Sequence, residues 1–539
     1  MAQILDRSYF CALAAFLGHA SHIGYFIRGE HHLEAPMLAK LFFLVPTLVC
    51  VLLYFGTNAP LENIVSLVLV GWGSFVTSLW LSMAIYRLFL HPLRRFPGPV
   101  LASVSKMYHV YCCRNGDNFR HQQKWQKQYG DFVRTGPSEL SIYIPEAVPA
   151  IYGPGTKCTK GPRYDTTWPM MSMHAVRDRR LHDRRRRIWD RGFNTKSLRD
   201  YEPRLLHYVD ELIEKLSAMS GQTVNASAWF NFYSFDVMGD LAFGKSFDML
   251  KGEQHWIISL LTKTMFPLGI LLHAPWLYIL HNQIPGISSE FRKFVDWCDK
   301  QVEIRRTMNL ETPDVMSWLL AASENSDEPS SGRGWLMGDS RLIVDTTAAT
   351  LTHIFHYLAR DPEEMRKLRD EQERLEYISK GYLSPEALKA DHLNGVINEA
   401  LRLHHPVQSG LHRLTPAEGL TINGVFIPGN TTVICPTYAI GRSEKCFVRA
   451  NEFIPERWYS SPELIVNEKG FAPFTLGAYS CIGKHLALMS IRAVVSKVVA
   501  NLDVSFAPGE DGHALLNDTK DIFTMAMGDL KLRFKNRRL

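Results

Sequence analysis

The sequence predicts a mainly α protein with small β-sheets (α+β), preceded by N-terminal transmembrane helices. Three observations predict it. Stretches 8–27, 41–61 and 64–86 contain no Asp, Glu, Lys or Arg. From Val100 onward the apolar spacing is mostly that of long amphipathic helices. Short strand-like runs fall near both ends of that region, at 132–134, 140–144, 420–422, 425–428 and 432–435.

Each charge-free stretch approaches or exceeds the ~20 residues that cross a hydrocarbon core. The second and third read as spans; the first, with His19, Ser21 and His22, reads as a span or an interfacial helix. Two to three helices are therefore expected in an anchor over 1–92. Arg28 and Lys40 lie in the first loop, the second loop has no Lys or Arg, and Arg87, Arg94 and Arg95 follow the third stretch. The positive-inside rule then puts the first loop and the main domain in the cytosol. With three spans, the N-terminus faces the lumen.

The run HPLRRFPGP at 91–99 is too rich in proline to be helix interior and reads as a stiff connector, giving a hinge over 93–100. One large domain is expected over 101–539, with no internal repeat. Residues 323–334 (SENSDEPSSGRG) read as a mobile surface loop between two helices.

Composition excludes several classes. The chain of 539 residues is 46% hydrophobic and 21% charged, with formal charge +6. No basic stripe interleaves with aromatics, so nucleic acid is not expected as a partner. Nine cysteines, an odd number without a CxxC pair, make neither a disulfide framework nor a zinc module. They fit a reducing compartment in which one thiol serves as a metal ligand.

That thiol is Cys481. Phe474-Thr-Leu-Gly477-Ala-Tyr-Ser-Cys481-Ile-Gly483 is a glycine-punctuated loop that delivers a cysteine to the start of an apolar helix. A helix N-terminus favours thiolate over thiol. Phe474 can shield the sulfur, Gly477 allows a tight turn, and Gly483 allows close approach of a flat macrocycle. A buried structural cysteine is the ordinary alternative, but the whole pattern favours heme.

With this loop, the region from about Phe96 to Leu539 resembles the cytochrome P-450 family, in the style of fungal microsomal heme-thiolate enzymes of secondary metabolism. The resemblance implies the family fold and heme b, with Cys481 as the axial metal ligand and Phe474, Gly477 and Gly483 lining the cofactor. Thiolate donation favours O–O cleavage. Where the family usually has Arg or His two residues before the cysteine, this chain has Tyr479. A phenol brings no positive charge to a heme propionate.

Three further motifs carry the resemblance. Glu399-Ala-Leu-Arg402 puts both charges on one helical face. The family's arrangement implies that they lock to Arg457 of the later Phe-Ile-Pro-Glu-Arg-Trp run, a structural role. In the basic helix, His182 takes the place of the family's Trp, Arg186 lies four on and Phe193 eleven on. His182 and Arg186 share one face and are implied to reach a propionate. The remaining arginines face outward, and some suit the docking of an acidic electron donor. Finally, 342–350 (LIVDTTAAT) resembles the helix crossing the distal side of the heme. Asp345 and Thr346 match the acid–alcohol pair that relays protons to dioxygen. Leu342 and Ile343 fill the small-residue positions. Compared with the form expected of fungal relatives, an Ala-Gly-Ser before Asp345 is missing, which rotates the upstream face by roughly 60°. The gap is either real or the trace of a misjudged splice junction.

For the substrate pocket, 163–176, 407–411 and 522–525 are expected to contribute, with 256–284 dipping into the membrane. The resemblance implies a monooxygenase of the endoplasmic-reticulum membrane. It would insert one oxygen atom from dioxygen into a lipophilic small molecule, with electrons from NADPH through NADPH-cytochrome P-450 reductase. The altered distal helix leaves two alternatives open: an isomerase or dehydratase that does not use dioxygen, and a non-catalytic heme-binding protein.

Overall fold

The computed structural model describes residues 6–252, 256–309, 312–324, 333–340, 346–376 and 380–537. Helices hold 63% of the described residues, beside four small sheets, so the expected mainly α class with small sheets is observed.

Among the described residues, two helices are long and apolar enough to cross a membrane, Ala35–Gly56 and Leu61–Leu90. Their outward side chains are the large apolar ones a bilayer solvates; Phe43 and Phe55 are 70% and 83% exposed. The first apolar stretch forms the helix Arg7–Ser21, capped by Asp6, and continues as the π-helical turn His22–Phe26. It lies tightly on the third. A Cβ on Gly18 would stand 2.3 Å from the Phe75 carbonyl oxygen, so only glycine permits this approach.

The connector is docked rather than loose. Pro92–Arg95 forms a 3₁₀ turn capped by the His91 ring, and Leu93 and Phe96 are buried. Arg134 holds the junction. Its backbone N–H donates to Pro97 O at 2.8 Å, and its guanidinium donates to Arg87 O at 2.9 Å and Pro137 O at 2.7 Å.

The largest sheet joins distant segments in the order Phe132–Gly136, Glu139–Ile142, Thr432–Ile434, Arg413–Leu414, Thr159–Lys160. Glu139–Ile142 runs parallel to Thr432–Ile434; the other pairings are antiparallel. Leu502–Phe506, Lys531–Asn536 and Thr223–Asn225 make a second sheet. The main core lies among the helices Thr195–Ala218, Ala226–Phe243, Thr347–Arg360, Asp391–Leu403 and Lys484–Asn501. Their ends follow local chemistry: Asn194 Oδ1 caps the first by accepting from Ser197 N, and Gly244, at φ 72°, ends the second.

Two expectations need correction. Both ends of the stretch 323–334, read as a loop, are helical, in Val315–Glu324 and Arg333–Ser340; 325–332 lie outside the described residues. The arginines of the helix Arg179–Gly192 do not all face outward. Arg185 is fully buried, because Asp339 offers it a buried carboxylate.

Candidate active site

The Cys481 loop is built to expose its thiol. Cys481 N–H donates to Phe474 O at 2.8 Å, closing the loop. Gly477 has φ +62°, and a Cβ there would meet Gly153 O at 2.7 Å. The turn therefore requires glycine. Gly483 has an ordinary φ of −78°, and a Cβ on it would meet only Cys481 Sγ, at 3.9 Å. What glycine gives there is open space beside the sulfur. The helix Lys484–Asn501 begins immediately afterwards.

Of the nine cysteines, Cys481 alone is exposed. It opens onto a cavity of about 380 Å³ that Arg186, Phe474, Gly477 and Lys484 also line. The cavity walls desolvate the sulfur and raise its thiol pKa; the N–H groups of Gly483 and Lys484 and the charge of Arg186 pull the other way. A cation bound at the sulfur would complete that set.

Arg186 reaches this cavity and donates to Ser480 O at 2.6 Å. His182 does not line it. Its ring lies edge-on to Tyr479 at 4.6 Å and contacts Asp183 at 2.9 Å. Burial and the nearby Lys160 lower its pKa to about 4. Around Tyr479 stand cations that the sequence reading missed: Lys160 at 5.0 Å, Arg413 at 4.9 Å and Arg179 at 5.4 Å from the ring. Lys160 and Arg413 are register partners on adjacent strands and are buried. The Tyr479 hydroxyl and Arg413 Nε are buried without hydrogen-bond partners. Two orphaned donors beside buried cations suit carboxylates, so the residues present fit heme with its propionates.

Glu399 accepts from Arg402 at 2.7 and 2.8 Å and from Arg457 at 2.9 Å, with all three buried. Trp458 Nε1 and Ile454 N also donate to it, at 3.0 and 2.9 Å. The structure thus brings Glu399, Arg402 and Arg457 together in one buried hydrogen-bonded cluster.

Of the pair expected on the distal side, Asp345 lies outside the described residues, as do 341–344. Thr346 occupies the N-cap position of Thr347–Arg360 without a side-chain capping bond. Upstream, Arg333–Ser340 presses against the stretch 163–176, where a Cβ on Gly338 would fall 1.8 Å from Met171 O. Asp339, absent from the sequence reading, accepts from Met173 N at 2.7 Å, Arg185 Nε at 2.6 Å and Trp189 Nε1 at 2.8 Å.

The N-terminal helices and the loop between them meet the rest of the chain directly. Arg177 donates to both Glu30 carboxylate oxygens at 2.6 and 2.9 Å, and His32 Nε2 lies 2.8 Å from Asp165 Oδ2. The helices Trp256–Leu271 and Pro275–Gln283 present Trp256, Phe266 and Trp276 to the outside.

Comparison with known proteins matches residues 104–534 to the family model described as Cytochrome P450. The chain is 40% identical over 540 residues to the tryprostatin B 6-hydroxylase of Aspergillus fumigatus, covering 98% of this chain and 96% of that one. It is 40% identical over 526 residues to the cytochrome P450 monooxygenase notG' of Aspergillus versicolor, covering 96% of each. Identity to the cytochrome P450 monooxygenase FCK2 of Fusarium pseudograminearum is 38% over 540 residues, covering 97% of this chain and 96% of that one.

Proposed function

The chain belongs to the cytochrome P450 family, and from that premise we propose that Cys481 is the axial thiolate of its heme and that it hydroxylates a lipophilic small molecule. As a family member it is a heme b monooxygenase of the secondary-metabolite type, and such enzymes draw electrons from a redox partner. Bound at Cys481, heme would supply dioxygen activation, with thiolate donation favouring O–O cleavage.

One observation carries the assignment: the single exposed cysteine of the chain opens onto a cavity that Arg186 shares. The chain's own residues would then divide the work. The N–H groups of Gly483 and Lys484 oppose the burial that favours the neutral thiol and would support the thiolate once the iron is bound. Arg186, Arg413, Lys160 and the Tyr479 hydroxyl hold the propionates, and His182 backs Tyr479 rather than reaching them. Thr346, with Asp345 before it, holds the distal proton. The relatives' printed names, monooxygenase and hydroxylase, favour this reading over an oxygen-independent isomerase or a non-catalytic heme binder.

The Arg177–Glu30 and His32–Asp165 contacts bear on how the anchor is disposed. They support placing the first loop on the same side of the membrane as the catalytic region, and the loop and junction cations point to the cytosolic face of the endoplasmic reticulum. In that setting the exposed Arg180, Arg184, Arg187 and Arg191 offer a docking face to NADPH-cytochrome P450 reductase.

The test is the carbon monoxide spectrum of the reduced protein. A red-shifted Soret band is expected. Cys481→Ala should abolish it, and Cys481→His should give an imidazole-type spectrum. A thiolate band that survives in Cys481→Ala refutes the assignment.

A further inference from the structure

A cavity of about 1230 Å³ lies between the N-terminal helices and the catalytic region, bordered by none of the Cys481-loop residues. Most of its wall is apolar, with Leu38, Phe42 and Trp72 on the anchor side and Trp276 and Leu280 opposite. Arg163, His273 and His412 belong to its polar lining, together with the paired Lys106 and Glu139.

Arg163 is 9% exposed, and its guanidinium has no hydrogen-bond or ion-pair partner among the described residues; its contact is the Phe523 ring at 5.0 Å. His273 is 5% exposed, and its Nδ1 is buried without a partner. Its ring is stacked on His109 at 4.2 Å, which fixes its direction. Of the neighbouring carboxylates, Glu139 pairs with Lys106 at 2.6 Å, while Asp521 accepts from Ser409 and acts on Arg163 through space without touching it. Burial and nearby cations hold His273 and His412 far below the usual histidine range, so both are neutral. The polar lining therefore carries a buried cation that no side chain neutralises by contact, in an apolar vessel. An unpaired buried charge is costly to a fold, and a guanidinium is shaped to take a carboxylate bidentately.

We propose that this cavity binds an amphipathic organic acid, its apolar body against the helices and its carboxylate held by Arg163 and His273. The acid is either the substrate itself, in which case the inference rests on the monooxygenase reading, or a fatty acid of the surrounding membrane. Both share the recognition chemistry.

The full-length, heme-loaded protein in phosphatidylcholine nanodiscs is titrated with cis-parinaric acid and with its methyl ester, read by parinarate fluorescence. The acid should bind at least ~10-fold more tightly than the ester, as expected of a charge-assisted contact. Arg163→Gln should remove that preference while ester affinity stays within about twofold, and Arg163→Lys should keep part of it. Acid binding with a heme Soret shift marks a substrate; without a shift it marks a membrane lipid; either supports the site. Equal affinity for acid and ester in the wild type overturns the proposal, and needs no variant to fold. So does Arg163→Gln that empties the protein of heme yet keeps the preference, since Arg163 would then serve the propionates. The fluorescence readout does not depend on the thiolate, so failure of the Cys481 assignment would register separately.

Discussion

Arg185 Nε donates to Asp339 Oδ2 across 2.6 Å, and neither side chain has any solvent exposure. This pair joins the basic helix to the segment just upstream of 341–345. Through Met173 N it also pins the stretch 163–176. Burial raises the Asp339 pKa while Arg185 and three donated hydrogen bonds oppose the rise. The ion pair is therefore interdependent: either partner alone would be a buried, unanswered charge.

Asp339→Ala should accordingly destabilise the protein by ~3–5 kcal/mol, the usual cost of orphaning one member of a buried pair. The double variant Arg185→Met with Asp339→Ala should recover much of that loss. Urea unfolding followed by tryptophan fluorescence measures both. A single-variant loss below ~1 kcal/mol would show that water reaches the site and that the pair does not hold the helices together.

Around Tyr479 the prediction concerns cofactor retention. A charge-assisted bond to a buried carboxylate contributes ~1.5–3 kcal/mol, against ~0.5–1.5 for a neutral one. Arg186→Gln and Arg413→Gln should each lower heme content markedly, whereas Tyr479→Phe should cost little. Heme per protein after gel filtration is the measurement. The reverse order, with Tyr479→Phe the most damaging, would remove the cations from the propionate assignment.

The same region sets a pH dependence. Burial lowers His182 and His405 to about 4 and His174 to about 3. Between those values and the unfolded value of ~6.5, the unfolded chain binds protons that the folded one refuses. Stability is thus fully present above pH ~6.5 and falls as pH drops toward 4. His405 Nε2 contacts Pro473 O at 2.9 Å, beside the cysteine loop. Heme release should therefore accelerate in the same window, and His405→Gln should flatten the profile. A melting temperature constant from pH 7 to 4.5 would contradict this.

What the sequence disclosed, and what it hid, follows from range. The Cys481 loop and the Glu399–Arg402 turn are local patterns, so their spacing could be read directly. Strands such as 420–422 and 425–427 were legible because alternation and a turn are also local. Thr159–Lys160 and Arg413–Leu414 are two residues each, too short to show a period, and they become strands only by pairing across the chain. Lys160 and Arg413 were therefore invisible as neighbours of Tyr479. Arg185 was misread for a related reason. A run of arginines on a helix looks solvated until a distant carboxylate, Asp339, is folded over it. His182 matched a motif position yet turns behind Tyr479, because a motif fixes spacing and not the direction of a ring.

The distal side gives the sharpest remaining test. Thr346 sits at the N-cap position of Thr347–Arg360 with its hydroxyl making no capping bond, so it is available to another partner. If it holds a proton for dioxygen chemistry together with Asp345, Thr346→Ala should leave the thiolate spectrum intact. It should divert reducing equivalents from product to free hydrogen peroxide, roughly 10-fold or more by the usual weight of a positioned proton donor. NADPH consumption, product and peroxide, measured together with a reductase, give the coupling ratio. Insertion of Ala-Gly-Ser before Asp345 supplies the contrast. Three residues are less than one helical turn and would rotate the upstream face by roughly 60°. That rotation must be absorbed between Asp339, fixed by Arg185 and Trp189, and Thr346. Product formation confined to the inserted form would mean that the present chain is a defective or mis-spliced version. An active present chain whose Thr346→Ala variant couples equally well would remove Thr346 from proton delivery and leave that task to residues outside this pair.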